Sequence, residues 1–493
     1  MALLLGIDVG TTGVRAGVLD ERGRLVAEAS QACPHDAPAP GRAEADAEGW
    51  WAAVKAVCAR VGERVPLSQL DGIAVTGQAP TAVLVDADVR PLRPAMVWLD
   101  VRATAEARAL EAALGPGRAE ARGGNRMHAY YLGPKLAWLR ANEPEVLDRT
   151  AHVLQSHAFV AMRLTGVAAC DPSTAMLCAP LYDASAGTWS EHACQVAGVD
   201  PRVLPRVIRA HDVLGGVTRE AAAATGLREG TPVVAGGGDF AASALGAGVV
   251  EEGQACLVLG TSGNLLVPSR EPRFDARLIN THHVGTDRWL ALGGTLCGAA
   301  LEWFRGVFAP GVPWETLEAE AAAVDPRAAE LIFVPYLQGE RTPIWDEGAR
   351  GFVVGLELTH GRAHVLRALF DGIALGFRHC LSVAQEHGLA FEQVVAANGA
   401  GRSALLRQTL SDALDLPLEW SSEGGGTLAG TAILAGLGTG VFSSADVARG
   451  WRRVDARHEP DPASRDRLSA VFAQRLALYD AVRKVSRESP LPQ

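Results

Sequence analysis

Lysine is the residue type that this sequence most lacks. Of the 46 basic residues, only Lys55, Lys135 and Lys484 are lysines, and the rest are arginines. Any chemistry that requires a lysine therefore has three candidates. An excess of positive charge is also missing, because 56 acidic residues give a formal net charge of −10. A general nucleic-acid binder needs a basic footprint, so we expect no nucleic-acid partner.

Features of secreted and membrane proteins are missing as well. The eight cysteines are scattered and form no CxxC pair, so we expect reduced thiols that fill the core. The first residues have no basic flank and reach Asp8 at once, which predicts the absence of a signal peptide. No window approaches about 18 apolar residues without a charge. We therefore expect a cytoplasmic protein without a membrane partner.

The remaining composition is that of a globular chain. Of the 493 residues, 48% are hydrophobic and 21% are charged, which is close to average usage. At roughly 100–200 residues per domain, the length predicts two to four domains. Disorder, collagen and coiled coil are poor interpretations of the whole chain.

The N-terminal segment predicts a β-hairpin with a glycine-bounded turn. An apolar run over residues 3–9 meets Gly10-Thr11-Thr12-Gly13, and extended segments follow over residues 14–20 and 25–29. A helix is expected only later, from about Asp46 to Arg60. The turn therefore leads into another strand and not into a helix.

The same pattern returns in the C-terminal half. Residues 256–267 form an apolar strand, a Gly260-Thr261-Ser262-Gly263 turn and a second apolar strand. This degenerate repeat predicts two similar domains with a boundary between about residues 246 and 254. Strands are also predicted at 73–76, 82–86, 95–98, 231–235 and 394–397, and helices at 240–246, 298–305, 364–386, 404–414 and 428–437.

Glycine turns after strands let backbone N–H groups approach an anion. Several such turns, two of which share a Gly-Thr-(Thr/Ser)-Gly core, favour a polyphosphate ligand. The pattern GxxxxGK[ST] is absent and no lysine lies near a glycine turn, which excludes a P-loop. A Rossmann fingerprint needs a helix directly after its loop, so that interpretation fails too.

Two aspartates stand beside these turns. Asp8 ends the first strand and could hold Mg²⁺ through water, since Mg²⁺ keeps several waters. Asp239 follows Gly236-Gly237-Gly238 and precedes a predicted helix, whose positive end favours the ionised carboxylate of a general base. The alternative for Asp239 is a helix N-cap, and the alternative for Asp8 is a turn-stabilising carboxylate.

In their order along the chain, these residues resemble the FGGY carbohydrate kinases. The resemblance runs from about residue 3 to residue 440, and no single segment would be specific. The segments that carry it are Gly6-Ile-Asp8-Val-Gly10-Thr-Thr-Gly13 with Arg15, Gly238-Asp239 to Gly246, Gly260-Thr-Ser-Gly263, Gly351 to Leu356 with His364 to Asp371, and Asn398-Gly399-Ala400-Gly401-Arg-Ser403.

The resemblance implies an α/β protein with two actin/hexokinase/Hsp70-like (ribonuclease H-like) ATPase domains and a cleft between them. It places the N-terminal domain at residues 1–247, the C-terminal domain at 248–485 and a tail at 486–493. It also implies ATP and Mg²⁺ as cofactors. Closure of the domains over the substrate would exclude water as a competing acceptor.

The resemblance further implies a role for each motif residue. Asp239 is expected to be the general base and Asp8 to lie near Mg²⁺ and the γ-phosphate. The residues expected to bind the phosphates or the rest of ATP are Gly10, Thr11, Thr12, Arg15, Gly260, Thr261, Ser262, Gly399, Ala400 and Ser403. The residues expected to bind the sugar are Gln78, Ala79, Trp98, Asp100, Arg102 and Asp239.

Within the family, the overall pattern is closest to xylulokinases, which predicts D-xylulose as the substrate. Xylulokinases usually carry Met-His after the Gly-Gln pair, whereas this chain carries Ala79-Pro80. The alternatives are another ketopentose, a tetritol such as erythritol, and a non-catalytic sensor of sugar and ATP on the same fold. A homodimer is compatible with the resemblance, but no interface is visible in the sequence.

Several residues also have a purely structural interpretation. Trp98 is one of 11 tryptophans and could be core packing, and Asp100 and Arg102 could simply pair on a loop. Lys135 is expected to end or decorate a helix rather than to contact the substrate. His128, His282 and His283 lack ligands at metal spacing, so surface or packing roles are expected for them.

Overall fold

The computed structural model describes residues 2–325, 331–397, 399–421 and 426–488. The strands of the first half are Leu3–Val9 (β1), Gly13–Asp20 (β2), Leu25–Ala32 (β3), Glu44–Ala45 (β4), Gly72–Gly77 (β5), Val83–Val85 (β6), Ala95–Met96 (β7), His152–Leu154 (β8), Ala169–Cys170 (β9), Tyr182–Asp183 (β10), Thr188–Trp189 (β11), Arg206–Val207 (β12), Val213–Gly216 (β13), Pro232–Val234 (β14) and Gly237–Gly238 (β15). Its helices are Ala47–Gly62 (α1), Thr104–Leu114 (α2), Arg118–Gly123 (α3), Leu132–Asn142 (α4), Pro144–Asp148 (α5), Ser156–Thr165 (α6), Pro172–Ala175 (α7), Glu191–Ala197 (α8), Arg219–Thr225 (α9) and Asp239–Gly246 (α10).

The second half continues in the same α/β style. Its strands are Gln254–Leu259 (β16), Ser262–Ser269 (β17), Ile279–His282 (β18), Trp289–Leu296 (β19), Ile332–Val334 (β20), Phe352–Val354 (β21), Gln393–Ala397 (β22), Leu418–Ser421 (β23) and Ala456–His458 (β24). Its helices are Gly298–Phe308 (α11), Trp314–Ala322 (α12), Arg362–Glu386 (α13), Ala404–Leu414 (α14), Thr427–Gly438 (α15), Val447–Trp451 (α16) and Pro462–Glu488 (α17).

The chain divides into two compact units that are not contiguous in sequence. Unit 1 comprises Met1–Glu251, Pro268–Leu290 and Gly424–Arg452, and unit 2 comprises Glu252–Val267, Ala291–Glu423 and Arg453–Gln493. The predicted two-domain α/β architecture is therefore confirmed, while each unit is assembled from separate segments of the chain.

A mixed sheet with the strand order β13-β14-β5-β1-β2-β3 forms the centre of unit 1. Strand β1 pairs antiparallel with β2 and parallel with β5, and the short strand β15 also pairs parallel with β5. The carboxyl ends of β1, β5 and β15 therefore meet at one edge of the sheet. The predicted hairpin, with a strand on each side of its glycine turn, is confirmed.

The two faces of β1 follow from its sequence, because successive side chains of a strand point to opposite faces. Leu5 and Ile7 lie in a core cluster with Trp50 of α1 and Phe159 of α6. On the other face, a Cβ on Gly6 would lie 3.0 Å from the carbonyl oxygen of Leu428 in α15. The sheet is thus covered by helices on both faces, and Asp8 lies on the face of α15.

Unit 2 repeats this arrangement. Strand β16 pairs antiparallel with β17 and parallel with β22, which in turn pairs with β23. The relation of β16 to β17 and β22 is that of β1 to β2 and β5, so the degenerate sequence repeat corresponds to a structural repeat. No helix among the described residues is both long and apolar enough to cross a membrane.

Candidate active site

The turn between β1 and β2 is the predicted phosphate hairpin. The backbone N–H of Gly10 donates to the carbonyl of Gly13 (3.0 Å), and the turn leaves Thr11 half-buried and Thr12 exposed. At Gly13 a Cβ would lie 2.5 Å from the carbonyl oxygen of Gln31. Only glycine allows β3 to approach so closely. Thr12 lies at the surface and Thr11 is partly exposed, and both hydroxyls have a proton that could be donated to an anion.

Asp8 lies directly beneath this turn and is almost fully buried. Its Oδ2 accepts a hydrogen bond from Arg15 Nη2 at 2.9 Å, while its Oδ1 has no partner among the described residues. Burial raises the pKa of Asp8, although Arg15 and Thr76 act in the opposite direction. A buried carboxylate oxygen without a partner is costly unless a cation or water supplies the missing contact.

The adjacent ends of three strands bring Asp239 to the same edge as Asp8. In the strand register, Thr76 of β5 is the partner of Asp8 on one side and of Gly237 on the other. Gly236 has φ +76°, and a Cβ there would lie 1.7 Å from the carbonyl oxygen of Val75. The glycine run is therefore required for β15 to pack against β5, and Asp239 follows β15 directly.

The surroundings of Asp239 disfavour its charge. Burial and the nearby Asp8 carboxylate raise the pKa of Asp239 to about 7, against the opposing effect of a hydrogen bond from the Phe240 backbone. That N–H donates to Asp239 Oδ1 at 2.7 Å. The N-cap of α10 is Gly238, and Asp239 is the first helical residue, so the helix-cap interpretation of Asp239 is wrong. A carboxyl group that titrates near neutral pH is suited to accept a proton.

A buried cluster around Asp171 supports β15, the strand that directly precedes Asp239. Asp171 accepts hydrogen bonds from the Ser173 backbone (2.8 Å) and the Thr174 hydroxyl (2.5 Å), and His157 Nε2 lies 3.5 Å from its Oδ1. The Ser173 hydroxyl in turn accepts from the backbone N–H of Gly238 (3.1 Å). Burial would raise the pKa of Asp171, but His157 and the other donors hold it below its usual value. Asp171 thus holds Ser173, whose hydroxyl in turn holds the backbone of Gly238, the residue before Asp239.

Gln78 and Ala79 follow β5 at the same edge. The Gln78 side chain is 1% exposed, and its Nε2 donates weakly to the carbonyl of Gly10 (3.4 Å). Its Oε1 has no partner among the described residues. The carbonyl of Ala79 accepts from the Tyr130 hydroxyl at 3.2 Å. Gln78 therefore borders the phosphate hairpin, with its side-chain carbonyl oxygen buried.

Trp98 contacts the phosphate hairpin directly. Its Nε1 donates to the Thr11 hydroxyl oxygen at 3.0 Å. Two positions further on, Asp100 is fully buried and accepts from the Ala43 backbone (2.8 Å) and from Arg102, whose Nη2 lies 2.6 Å from Oδ2. Asp100 and Arg102 thus pair with each other, as the structural interpretation expected. Their predicted contact with a sugar stays a prediction.

The position of Lys135 differs from the expectation that it ends or decorates a helix. It lies within α4, is fully buried, and donates from Nζ to the carbonyl of Val97 at 2.7 Å. Burial lowers the pKa of Lys135 to about 7, although Asp100 acts in the opposite direction. Sequence spacing alone did not indicate this buried support of the Trp98 segment.

The second predicted phosphate turn lies in unit 2. Gly260 is half-buried, and Thr261 and Ser262 are exposed at the β16–β17 turn. The carbonyls of Gly260 and Thr261 accept from the backbone N–H groups of Gly298 (2.9 Å) and Ala299 (3.0 Å) at the start of α11. These bonds attach the turn to the start of α11, while Thr261 and Ser262 remain exposed.

The predicted adenosine loop also lies in unit 2. Gly399–Arg402 forms a 3₁₀ turn, and the Ser403 hydroxyl accepts from the Leu406 backbone and caps α14. Ser403 therefore has a structural role, and its predicted contact with ATP stays a prediction, as do those of Gly399 and Ala400. Asn398, which opens the motif, lies outside the described residues.

Two family models match the chain in the order of the two predicted domains. The model of the N-terminal domain of the FGGY family of carbohydrate kinases matches residues 3–246, and that of the C-terminal domain matches residues 255–439. The chain belongs to the FGGY family of carbohydrate kinases. The predicted family and enzyme class are thereby confirmed.

The relatives of this chain differ in the substrate that their names give. The chain is 31% identical over 452 residues to the xylulose kinase of Bacillus subtilis, covering 90% of each chain. It is similar to the crystal structure of the xylulose kinase from Rhodospirillum rubrum, with a TM-score of 0.90 and 32% identity over 98% of this chain and 99% of that one. It is also 26% identical to the gluconokinase of Bacillus subtilis over 470 residues, which cover 93% of this chain and 91% of the other.

The residues around Asp8 in this FGGY kinase fit Mg²⁺, the ion that the family implies. Asp8 offers a buried carboxylate oxygen that has no partner within the described part of the chain, and oxygen ligands are what Mg²⁺ prefers. Among the described residues, no cluster of three or more His, Cys, Asp or Glu side chains forms a preformed cage for a metal. A Mg²⁺ ion that keeps most of its waters and its phosphate ligands is compatible with both observations.

Proposed function

We propose that this chain transfers the γ-phosphoryl group of ATP to a hydroxyl of D-xylulose, giving D-xylulose 5-phosphate and ADP. The observation that carries the proposal is the position of Asp239 at the strand edge shared with Asp8 and the phosphate hairpin. The choice of D-xylulose is supported by the similarity to xylulose kinases at 31–32% identity.

In the proposed reaction, Asp239 accepts the proton of the sugar hydroxyl while that oxygen attacks the γ-phosphorus. The bond from the γ-phosphorus to the β,γ-bridging oxygen breaks, and ADP leaves with its electron pair. Such transfer depends almost entirely on position and on charge stabilisation. The raised pKa of Asp239 keeps its proton affinity close to what a base needs at neutral pH.

The remaining predicted residues hold ATP in this proposal. Thr11 and Thr12 on the first turn, Arg15 on β2, and Gly260, Thr261 and Ser262 on the second turn bind phosphate oxygens, while Gly399 and Ala400 lie against the adenosine. Asp8 holds the hydrated Mg²⁺, which supplies positive charge to the phosphates when bound. Arg15 and the exposed hydroxyls supply the donors of the chain itself.

A coupled ADP-release assay with MgATP tests the proposal. The panel contains D-xylulose, other ketopentoses, aldopentoses, erythritol, glycerol and gluconate. We expect the highest kcat/KM with D-xylulose. Turnover on another sugar alone would keep the kinase mechanism and replace the substrate, whereas no turnover on the whole panel by a protein that binds MgATP would favour the non-catalytic sensor.

A second substrate class has specific support. Ala79-Pro80 stands where xylulokinases usually carry Met-His, so one polar sugar contact is missing. The similarity to a gluconokinase at 26% identity adds gluconate to the alternatives, which also include another ketopentose or a polyol such as erythritol. The variant Ala79→Met/Pro80→His separates these substrates, because it should raise kcat/KM for D-xylulose relative to the other panel members if the missing histidine limits its recognition.

A further inference from the structure

The hydrogen bond between Trp98 and Thr11 links two segments that the proposed function assigns to different ligands. Trp98 lies two residues after β7, in the segment assigned to the sugar, and Thr11 lies in the turn assigned to the phosphates. The indole Nε1 and the Thr11 hydroxyl oxygen are 3.0 Å apart, which is an ordinary hydrogen-bond length. The indole N–H can only donate, so the Thr11 oxygen is the acceptor.

The direction of this hydrogen bond determines which donor and acceptor capacity remains on the Thr11 hydroxyl. A hydroxyl has one proton to donate and two lone pairs that accept. Trp98 uses one lone pair, and the structure shows no acceptor for the Thr11 proton among the described residues. The proton is therefore available on the exposed side of the turn. A phosphate oxygen has only acceptor capacity, and a charged acceptor strengthens such a bond.

The Trp98 segment is held firmly enough to fix the hydroxyl. The carbonyl of Val97 accepts from the buried Lys135 Nζ (2.7 Å), and the Val97 N–H donates to the carbonyl of Ala43 (3.1 Å). On the other side of Trp98, the buried carboxylate of Asp100 accepts from the Ala43 backbone at 2.8 Å. Buried bonds thus hold both flanks of the tryptophan, and protein contacts alone direct its indole N–H at Thr11.

We propose that Trp98 is a positioning residue for the nucleotide: its indole N–H turns the Thr11 hydroxyl into a donor toward a phosphate oxygen of ATP. The inference rests on the proposed function for the assignment of Thr11 to the phosphates. It adds that a residue of the sugar segment sets the affinity for ATP in the absence of sugar.

A double-mutant cycle measured by calorimetry tests this coupling with MgATP as the only ligand. Trp98→Phe keeps an aromatic ring and removes the N–H, and Thr11→Val keeps the branched shape and removes the hydroxyl. Each single variant should weaken MgATP binding by roughly three- to tenfold, the size of one modest hydrogen bond. The double variant should be no weaker than Thr11→Val alone, because the indole then has no hydroxyl to orient.

Two matched controls separate positioning from general damage. Thr12→Val removes the neighbouring hydroxyl, which is exposed, whereas the indole N–H of Trp98 donates to Thr11; its effect should therefore multiply with that of Trp98→Phe. Trp303→Phe alters a tryptophan that is 37% exposed on α11 and should leave MgATP affinity unchanged. The conservative variant Thr11→Ser retains the hydroxyl and should bind MgATP nearly as well as the wild type.

The cycle also shows how the inference would fail. If the effects of Trp98→Phe and Thr11→Val multiply, or if Trp98→Phe changes only the KM for sugar, the coupling does not exist. If the Trp98→Phe protein does not fold, the coupling is tested instead by NMR of the indole N–H resonances in ¹⁵N-tryptophan-labelled wild type and Thr11→Val. Thr11→Val should shift one of them in the free protein, and MgATP should shift the same resonance in the wild type; an unaffected resonance would overturn the inference. Coupling without turnover on any sugar would overturn the proposed function alone.

Discussion

At the scale of single residues, Asp239 carries the proposed chemistry, and the Asp239→Asn variant tests it. The amide keeps the size of the side chain and cannot accept the proton of the sugar hydroxyl. We expect kcat to fall by about 10²–10⁴-fold with little change in MgATP affinity. Steady-state kinetics and calorimetry measure the two quantities. Asp88→Asn, at an exposed aspartate paired with Arg90, should retain wild-type activity; an Asp239→Asn variant with more than a tenth of it would contradict the role.

The pH dependence of activity follows from the same carboxylate. The pKa of Asp239 is raised to about 7 by burial and by Asp8, and a general base acts only in its deprotonated form. Activity should therefore fall as the pH drops below about 7. A pH profile of kcat/KM should show an acid limb with an apparent pKa well above the ordinary aspartate value of about 3.9. A profile that is flat from pH 5 to pH 8 would exclude Asp239 as the titrating base.

Deprotonation of Asp239 is required for activity, but it should lower the stability of the folded protein. A carboxyl group whose pKa is raised by folding favours the folded state when it is protonated. That contribution is complete below the unfolded pKa and is lost as the pH rises through the folded pKa. Asp239→Asn should therefore raise the Tm at pH 8 and have little effect near pH 4, measured by thermal unfolding. An equal Tm difference at both pH values would show that charge is not the cause.

Site residues that carry a local sequence signal could be assigned from the sequence, whereas residues that act through contacts between distant segments could not. Asp8, Asp239 and the threonine turn are marked by glycines, because close backbone approach leaves a local signal. The support of Trp98 by Lys135 and the anchor at Asp171 arise from contacts between distant segments. Such contacts depend on packing, so no spacing rule could show that Lys135 is buried or that Asp171 lies in a buried hydrogen-bonded cluster.

At the scale of elements, a small-residue contact joins α10, which begins at Asp239, to α15. A Cβ on Gly430 would lie 1.9 Å from the carbonyl oxygen of Ala242, so the two helices touch through their backbones. Two hydroxyl pairs flank this contact: Ser243 with Thr427 (3.0 Å) and Thr76 with Thr431 (2.7 Å). The helix that carries the proposed base is therefore held by a helix from near the other end of the chain.

Gly430→Ala tests this contact. The added methyl must force α10 and α15 apart, and we expect a loss of about 1–3 kcal/mol in the free energy of unfolding, as for other overpacked cores. Denaturant unfolding measures it. Gly306→Ala is the matched control, since this glycine also lies inside a helix and a Cβ there meets nothing within 4 Å. It should stabilise the protein by up to about 1 kcal/mol. Equal effects of the two variants would contradict the close contact.

The sequence predicted the bounds of helices better than it predicted which elements they pack against. The helix predicted at 404–414 is α14 with the same bounds, and the helix predicted at 428–437 is α15 within one residue at each end. Both have local signals, namely an N-capping serine at 403 and a run of small apolar residues. That α15 belongs to unit 1 was not predictable, because the sequence pattern shows that one face is buried but not what buries it.

At the scale of the whole molecule, each unit carries part of the predicted ATP machinery. Asp8, Thr11 and Asp239 lie in unit 1, whereas the second turn and the predicted adenosine loop lie in unit 2. The halves of this FGGY kinase are related by a structural repeat, and the proposed general base, Asp239, lies in the first. The order of the motifs predicted the two domains. Only the three-dimensional structure could show that residues 268–290 and 424–452 belong to unit 1.

Nucleotide binding should stabilise the whole molecule. A ligand that binds only the folded state adds about 2.7 kcal/mol at a concentration of 100 times its Kd. MgATP should therefore raise the Tm of the wild type in a thermal-shift measurement, and it should raise that of Asp239→Asn by a similar amount, because the base does not hold the nucleotide. No shift in either protein at saturating MgATP would contradict the assignment of the glycine turns to phosphate binding.

The most direct test of the central claim is ³¹P NMR of wild-type protein with MgATP and D-xylulose. We expect a new phosphomonoester resonance of the sugar that grows as the γ-phosphate resonance of ATP disappears, and we expect no such resonance with Asp239→Asn. Accumulation of inorganic phosphate without a sugar phosphomonoester, or an equal sugar signal from the variant, would contradict phosphoryl transfer to a hydroxyl activated by Asp239.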